Sequence, residues 1–284
     1  MNRRRLEEQF FRALMIAATA VVMGCLVAIL ATICWKGLPA LSWAMVTKAP
    51  EGSSMLGGAG GGILNAILGS LALGSCATLI ALALSLPLVF YLNIYLRKKS
   101  RFAFLIRFLL DVLWGIPSIV YGAFAFTVMV AWRMPASFLA GTLTVALLII
   151  PIMARSMDEV LRMIPFELKE AAYTLGSTRL ETAFKVVARQ AVPGMLAAVL
   201  TAFGRGIGDA AAVLFTAGFT DSLPYSLFKP VATLPLAIFF QLGTPFPEVQ
   251  ARGYASALVL TILLLLISMG SLGLTGRFTK HVIR

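Results

Sequence analysis

The chain has 284 residues, of which 60% are hydrophobic and only 13% charged, against about 25% charged in an ordinary soluble domain. Lysine and arginine outnumber aspartate and glutamate 24 to 12, a formal charge of +12. This composition excludes a soluble globular domain, a disordered tail and a collagen-like rod, and makes lipid the solvent for much of the surface.

A helix crossing the hydrocarbon needs about 20 apolar residues. After a basic N-terminus at 1–12, the first such run is 13–35. MNRRR before an apolar run resembles a signal peptide, but this run is longer than a signal core and more follow, so it reads as a retained span. The next runs are 63–96, longer than one span needs, then 112–132 and 134–154. The fifth, 194–217, is interrupted by Arg205 and Asp209, and the sixth is 253–276. Pro117 and Pro151 are expected to kink their spans. The uncharged stretch 230–247 carries Pro230, Pro235, Pro245 and Pro247, too many breaks for a lipid-facing span; it reads as a re-entrant or surface element of an external loop. The predicted fold is all-α: one helix at 13–35, a five-helix core over 63–276 that includes the loop 155–193, and a tail at 277–284.

Charge sets the expected orientation. Lys and Arg outside the runs total eighteen in alternate segments (the N-terminus, 97–107, 155–192 and the tail) and five in the others. The positive-inside rule puts both termini and the long loop in the cytoplasm.

The chemistry of hydrolysis has no visible home in the spans. There is no Gly-Lys dipeptide, hence no Walker A motif, and no paired-carboxylate, Ser-His-Asp or Cys-His constellation. The cluster Gly57, Gly58, Gly60, Gly61 and Gly62 reads as a flexible entry into the second span. Cys25, Cys34 and Cys76 lie in apolar runs, and the sole histidine, His281, is in the tail; neither a disulfide framework nor a metal site is expected. Asn65, Ser70 and Ser118 either line a path or bond neighbouring helices. Arg107 and Asp111, four apart, are expected to pair with each other.

The loop 155–192 is too polar to span and too patterned to be a linker. Pro165 suits a helix start, 166–175 reads as a short helix, and Gly176 suits a left-handed helix end. Thr178-Arg179-Leu180-Glu181 matches a capping box. The helix it opens carries Leu180, Ala183, Phe184 and Val187 on one apolar stripe. A hairpin with small Ala171 and Ala172 beside Glu170 is expected to dock into a partner's groove.

EAAYTLG (170–176) resembles the EAA motif of ABC importer permeases, whose hairpin sits in a cleft of the ATPase subunit. In that motif a Leu-Pro pair follows; Ala188 and Arg189 stand there instead, and Pro193 is expected to break the helix in its place. GGILNAILGS (61–70), GIPSIVYGAF (115–124), AFGRGIGDAAAVLFTA (202–217) and PVATLPLAIF (230–239) resemble the PstA family of phosphate ABC importer permeases, with Asp209 where that family usually has Glu. The resemblance implies an inner-membrane transport subunit without its own ATPase site and with no cofactor of its own. ATP and Mg would belong to a PstB-like ATPase homodimer. The other implied partners are a PstC-like second permease, a periplasmic PstS-like phosphate-binding protein, and phosphate itself. It implies ATPase coupling through Glu170, Ala171, Ala172 and Gly176.

Arg205 and Asp209 share a helix face and lie among Gly204, Gly206 and Gly208. A charge in a span is costly unless paired. Two readings stand: a buried structural ion pair, or a charged lining of an anion path, where the arginine fork suits phosphate. Rival functions are a permease for another oxyanion (sulfate or molybdate), a passive anion channel, and a non-transporting scaffold.

Overall fold

The computed structural model describes residues 3–51, 60–97 and 100–278. Gly57, Gly58, His281 and the tail beyond Phe278 lie outside them. Among the described residues the secondary structure is helical, apart from a two-residue antiparallel ribbon pairing Pro50–Glu51 (β1) with Gly60–Gly61 (β2), and a non-helical segment runs over 208–233. Among the described residues five helices are long and apolar enough to cross a membrane, or six if one bent pair counts as a span. The chain is therefore a multi-pass membrane protein.

Helix α1, Arg3–Gly37, begins ahead of its apolar run and exposes the whole of its most apolar stretch. It touches the rest at its C-terminal end, where Lys36 Nζ lies 4.9 Å over the Tyr254 ring. A turn and a short helix, α2 (Trp43–Thr47), lead to the ribbon. Helix α3, Leu64–Phe90, continues as a π-helical turn, Tyr91–Tyr95.

The third run is not one rod. It divides between α4 (Arg101–Gly115) and α5 (Ser118–Ala131), which meet at 96°. The cause is local: proline disfavours the helical conformation in the residue before it, and Ile116 is extended (φ −72°, ψ 129°) ahead of Pro117. The expected kink is a corner. Helix α6, Phe138–Arg162, outruns its apolar stretch by two turns and takes Pro151 into its interior. Arg155, Asp158 and Glu159 extend it because they neutralise one another at i, i+3 and i+4.

After α6 come α7 (Phe166–Thr174) and α8 (Arg179–Glu181); a π-helical stretch, Thr182–Val187, joins α8 to α9 (Ala188–Ile207). The sequence expectation of a break at Pro193 is corrected. Pro193 lies buried inside α9, and the helix is continuous from Arg179 to Ile207. The loop expected over 155–193 thus reduces to α7 and its two flanking turns. The stretch at 230–247 holds a short helix, α10 (Leu234–Leu242), whose first half is buried, with Leu234 and Leu236 fully covered, while Phe239 and the residues around Phe246 are exposed. Helix α11, Pro247–Phe278, packs on α1, α9 and α10.

The core lies where α3, α6 and α9 meet. Ala77, Ala81, Val145, Ile149, Met153 and Ala202 are buried there. Small residues let backbones approach without a hydrophobic drive between helices in lipid. A Cβ on Gly69 would sit 2.0 Å from the Ala232 carbonyl oxygen, and one on Gly74 would sit 2.5 Å from Ile207 Cγ1.

Candidate functional site

Three features combine charge, capping and exposure. The first is the end of α9. Arg205 occupies its last turn, and Gly208 is the C-cap. Arg205 Nη2 lies 3.3 Å from Asp209 Oδ2; the arginine side chain is 53% exposed and the aspartate 4%. The sequence expectation put both residues inside one helix over 194–217. The helix instead stops at Ile207 because Gly204, Gly206 and Gly208 weaken it and because Asp209 captures a backbone donor, Ala212 N–H, at 2.8 Å. The guanidinium then stands at the negative end of the helix dipole, a favourable position for a cation. Gly206 is where α6 comes close: a Cβ there would meet Val145 at 3.1 Å.

The non-helical chain that follows is not left unbonded. Backbone N–H groups at a helix start lack intrahelical partners. Those of Ser137, Phe138 and Leu139 at the head of α6 donate to the carbonyls of Thr216, Lys229 and Leu227. Val231 N–H donates to Ala217 O, and Ser70 Oγ accepts from Leu234 N–H at 2.7 Å. Asn65 Nδ2 donates to Thr220 O at 2.8 Å. Asn65 and Ser70 therefore brace this segment, and both are buried. Ser118 is the first residue of α5, whose Gly122 abuts the Ala211 and Ala212 carbonyls.

The second feature is the hairpin. Gly176 has φ +83°, and Ser177 N–H donates to Ala172 O while Gly176 N–H donates to Tyr173 O. That pair of bonds is a Schellman motif, which needs a left-handed residue where glycine stands. Thr178 and Glu181 form the full capping box, and Lys185 Nζ reaches Glu181 Oε1 at 3.1 Å. Glu170 and Ala171 are exposed, but Ala172 is buried within the chain. The outward apolar residues are Leu175, 87% exposed, with Leu180 and Phe184; Ala183 and Val187 are the buried half of their stripe.

The third feature was not foreseen. Asp158 is wholly buried and accepts from Arg107 Nε at 2.8 Å, Arg107 Nη2 at 2.9 Å and Asn93 Nδ2 at 2.7 Å. Arg155 Nε is 2.7 Å from Asp111 Oδ1. The expected Arg107–Asp111 pair is corrected: each residue is paired across to α6. A helix four-residue spacing permits a pair, but a two-point fork onto a buried carboxylate wins. The i, i+3 spacing of Arg155 and Asp158 was visible; Arg107 and Asn93, 51 and 65 residues distant, were not. Cys25, Cys34 and Cys76 are free thiols.

The family profile described as binding-protein-dependent transport system inner membrane component matches residues 85–284. The phosphate transport system permease protein PstA of Haemophilus influenzae is 34% identical over 253 residues, covering 89% of this chain and 86% of that protein. Its namesake from Yersinia pestis is 36% identical over 234 residues (82% and 78%), and one from Xylella fastidiosa is 32% identical over 273 residues (92% of each). Among solved structures, the inward-facing MetNI methionine ABC transporter aligns with a TM-score of 0.63 at 18% identity, over 76% of this chain and 96% of that one. An amino acid ABC transporter aligns at 0.54 and 18%, over 78% and 93%. These two speak to fold alone. On the profile match and on identity above 30% along most of its length, the chain belongs to the binding-protein-dependent transport system inner membrane component family.

Proposed function

We propose that this chain is the permease subunit of an ATP-driven importer for inorganic phosphate. The observation that carries the reading is the 32–36% identity to phosphate transport permeases along most of the chain. The chain forms one half of a translocation path and pairs with a PstC-like second permease. A PstB-like ATPase homodimer supplies ATP hydrolysis with its own Mg, and a periplasmic PstS-like protein delivers phosphate. The complex sits in the bacterial inner membrane with both termini of this chain in the cytoplasm, in keeping with the eighteen-to-five charge asymmetry.

In this reading the hairpin docks on the ATPase through Glu170, Ala171 and the exposed Leu175 and Leu180. Ala172 and Gly176 act from behind, one packed inward and one setting the turn. ATP-driven closure of the ATPases moves the hairpin, and the spans alternate between outward- and inward-facing states. Arg205 offers phosphate a planar fork of donors. Buried Asp209 holds that fork in place and caps the following turn.

Co-expression with the partner subunits and reconstitution into liposomes tests the reading. ATP-dependent uptake of labelled phosphate, with little uptake of sulfate or molybdate, is the expected result. Uptake without ATP would indicate a channel, and preference for sulfate or molybdate would overturn the substrate.

A further inference from the structure

The hairpin does not lie flat on the helices above it. Between α7, the ends of α3 and α6, and the side of α4 are two adjoining cavities of about 490 and 330 Å³ that share Asn93, Leu96, Phe166 and Lys169. Five cationic side chains from separate places in the chain line them: Arg97, Arg107, Arg162, Lys169 and Arg179. Among the described residues, no aspartate or glutamate lines these cavities. Arg107 is already engaged by Asp158 behind the wall. Cations gathered around a half-open cleft raise the local positive potential, and such a cleft is a ready receptor for an anion.

The chemistry of the lining narrows the anion. Four of the five cations are arginines, whose forks match tetrahedral oxyanions better than a point charge does. Asn93 and Tyr173 add polar groups, while Leu92, Met163, Ile164 and Phe166 add apolar lining. The larger cavity exceeds a single phosphate ion several-fold, so it admits a phosphate group with an organic substituent.

We propose that this cleft is a phosphate-group site, separate from the Arg205 end of α9, whose occupant bridges α7 to the ends of α3 and α6. The occupant is either free inorganic phosphate or the phosphodiester headgroup of an anionic lipid from the leaflet on the hairpin side. The site stands on the cleft's own charge and lining and does not depend on what the chain transports. The occupant takes hydrogen bonds from Lys169 of α7 together with Arg97 beyond α3 and Arg162 at the end of α6, and so holds the hairpin more firmly against the bundle.

The test uses the assembled transporter carrying Arg205→Gln, with Asp209→Asn added where the single variant assembles poorly, so that the end of α9 does not contribute to the readout. It is placed in nanodiscs of phosphatidylcholine alone or of phosphatidylcholine with phosphatidylglycerol. Labelled inorganic phosphate is titrated by equilibrium dialysis, and retained phosphatidylglycerol is counted by native mass spectrometry. Adding Arg162→Gln with Lys169→Gln is expected to lower phosphate affinity or lipid retention at least ten-fold. Phosphate bound in phosphatidylcholine discs and unaffected by phosphatidylglycerol identifies the free ion. Retained phosphatidylglycerol that phosphate does not displace identifies the lipid. If that double variant does not assemble, Arg97→Gln with Arg179→Gln makes the same test from the other side of the cleft. Equal binding with and without the substitutions overturns the proposal. So does binding that emerges only once the ATPase subunits are removed, which would mean that an acidic group of theirs fills the cleft.

Discussion

Asp158 and Arg107 stand 51 residues apart in the chain, yet they share two hydrogen bonds of 2.8 and 2.9 Å around a carboxylate with no exposure to solvent. Asn93 adds a third bond to the same carboxylate. The three side chains tie the end of α3, the middle of α4 and the last turns of α6 at the end of the bundle that carries the hairpin. Removing one partner of a buried pair is costly because the other charge stays behind. Asp158→Ala is expected to destabilise the chain by about 3–5 kcal/mol, seen as a lower thermal midpoint and a lower yield of assembled complex. Asp158→Asn keeps an acceptor and should lose less. An unchanged midpoint in Asp158→Ala would show that the pair contributes nothing.

At Gly176 the difficulty is torsional and not steric. Nothing lies within 4 Å of a Cβ built there, but φ is +83°. A non-glycine residue in a left-handed conformation costs about 1–2 kcal/mol, and asparagine tolerates it better than most. Gly176→Val should therefore loosen the hairpin and lower ATP-driven uptake with the spans still inserted, and Gly176→Asn should retain most of it. Full uptake and full ATPase co-purification by Gly176→Val would remove the turn from the coupling argument.

For Arg205, assembly and transport must be measured together. As a path residue, Arg205→Gln should assemble normally and take up phosphate poorly, and Arg205→Lys should recover only part because it lacks the fork. As a structural partner, Arg205→Gln should assemble poorly and recover with Asp209→Asn. That second change keeps an oxygen to accept from Ala212 N–H, so the turn survives in the double variant. Normal uptake by an assembled Arg205→Gln complex would exclude the path role.

Gly69 is the tightest point of the bundle at the end remote from the hairpin. Its missing side chain lets the Ala232 carbonyl come within what would be 2.0 Å of a Cβ, and backbone on one side cannot swing away. Gly69→Ala is expected to cost about 1–3 kcal/mol by overpacking, visible as reduced thermal stability and as faster proteolysis of the 208–233 segment. Wild-type stability would mean that the segment relaxes freely.

Orientation can be read by labelling. With Cys25, Cys34 and Cys76 replaced by serine, single cysteines at Arg97 and Glu181 are expected to react only from the cytoplasmic side, and one at Lys48 only from outside. Labelling of Glu181 from outside would reverse the topology and end the ATPase-docking role of the hairpin.

Local rules were legible in the sequence, and pairings across the fold were not. The capping box at Thr178 and the left-handed turn at Gly176 are set by neighbours within six residues, and both stand in the structure. The six apolar runs located the helices, but their ends moved wherever charge could be neutralised locally, as at Arg155, Asp158 and Glu159. The corner at Pro117 was underestimated because a proline's effect on the residue before it was read as a kink within a helix. Ala172 looked like docking surface because a small residue suits close approach from either side, and only the packing of α7 shows that it faces inward. Asp158 was invisible as a hub because nothing in its own segment points to Arg107.

From Arg179 to Ile207 the helix runs unbroken for 29 residues, about 43 Å at 1.5 Å per residue. One end is the capped turn of the hairpin and the other carries Arg205. Pivoting through about ten degrees on a contact near its middle, such a beam sweeps each end by roughly 3–4 Å. Motion delivered at the hairpin thus needs no relay of side chains to reach the guanidinium. It arrives as leverage, with the fulcrum where Val160 of α6 packs against Gly194.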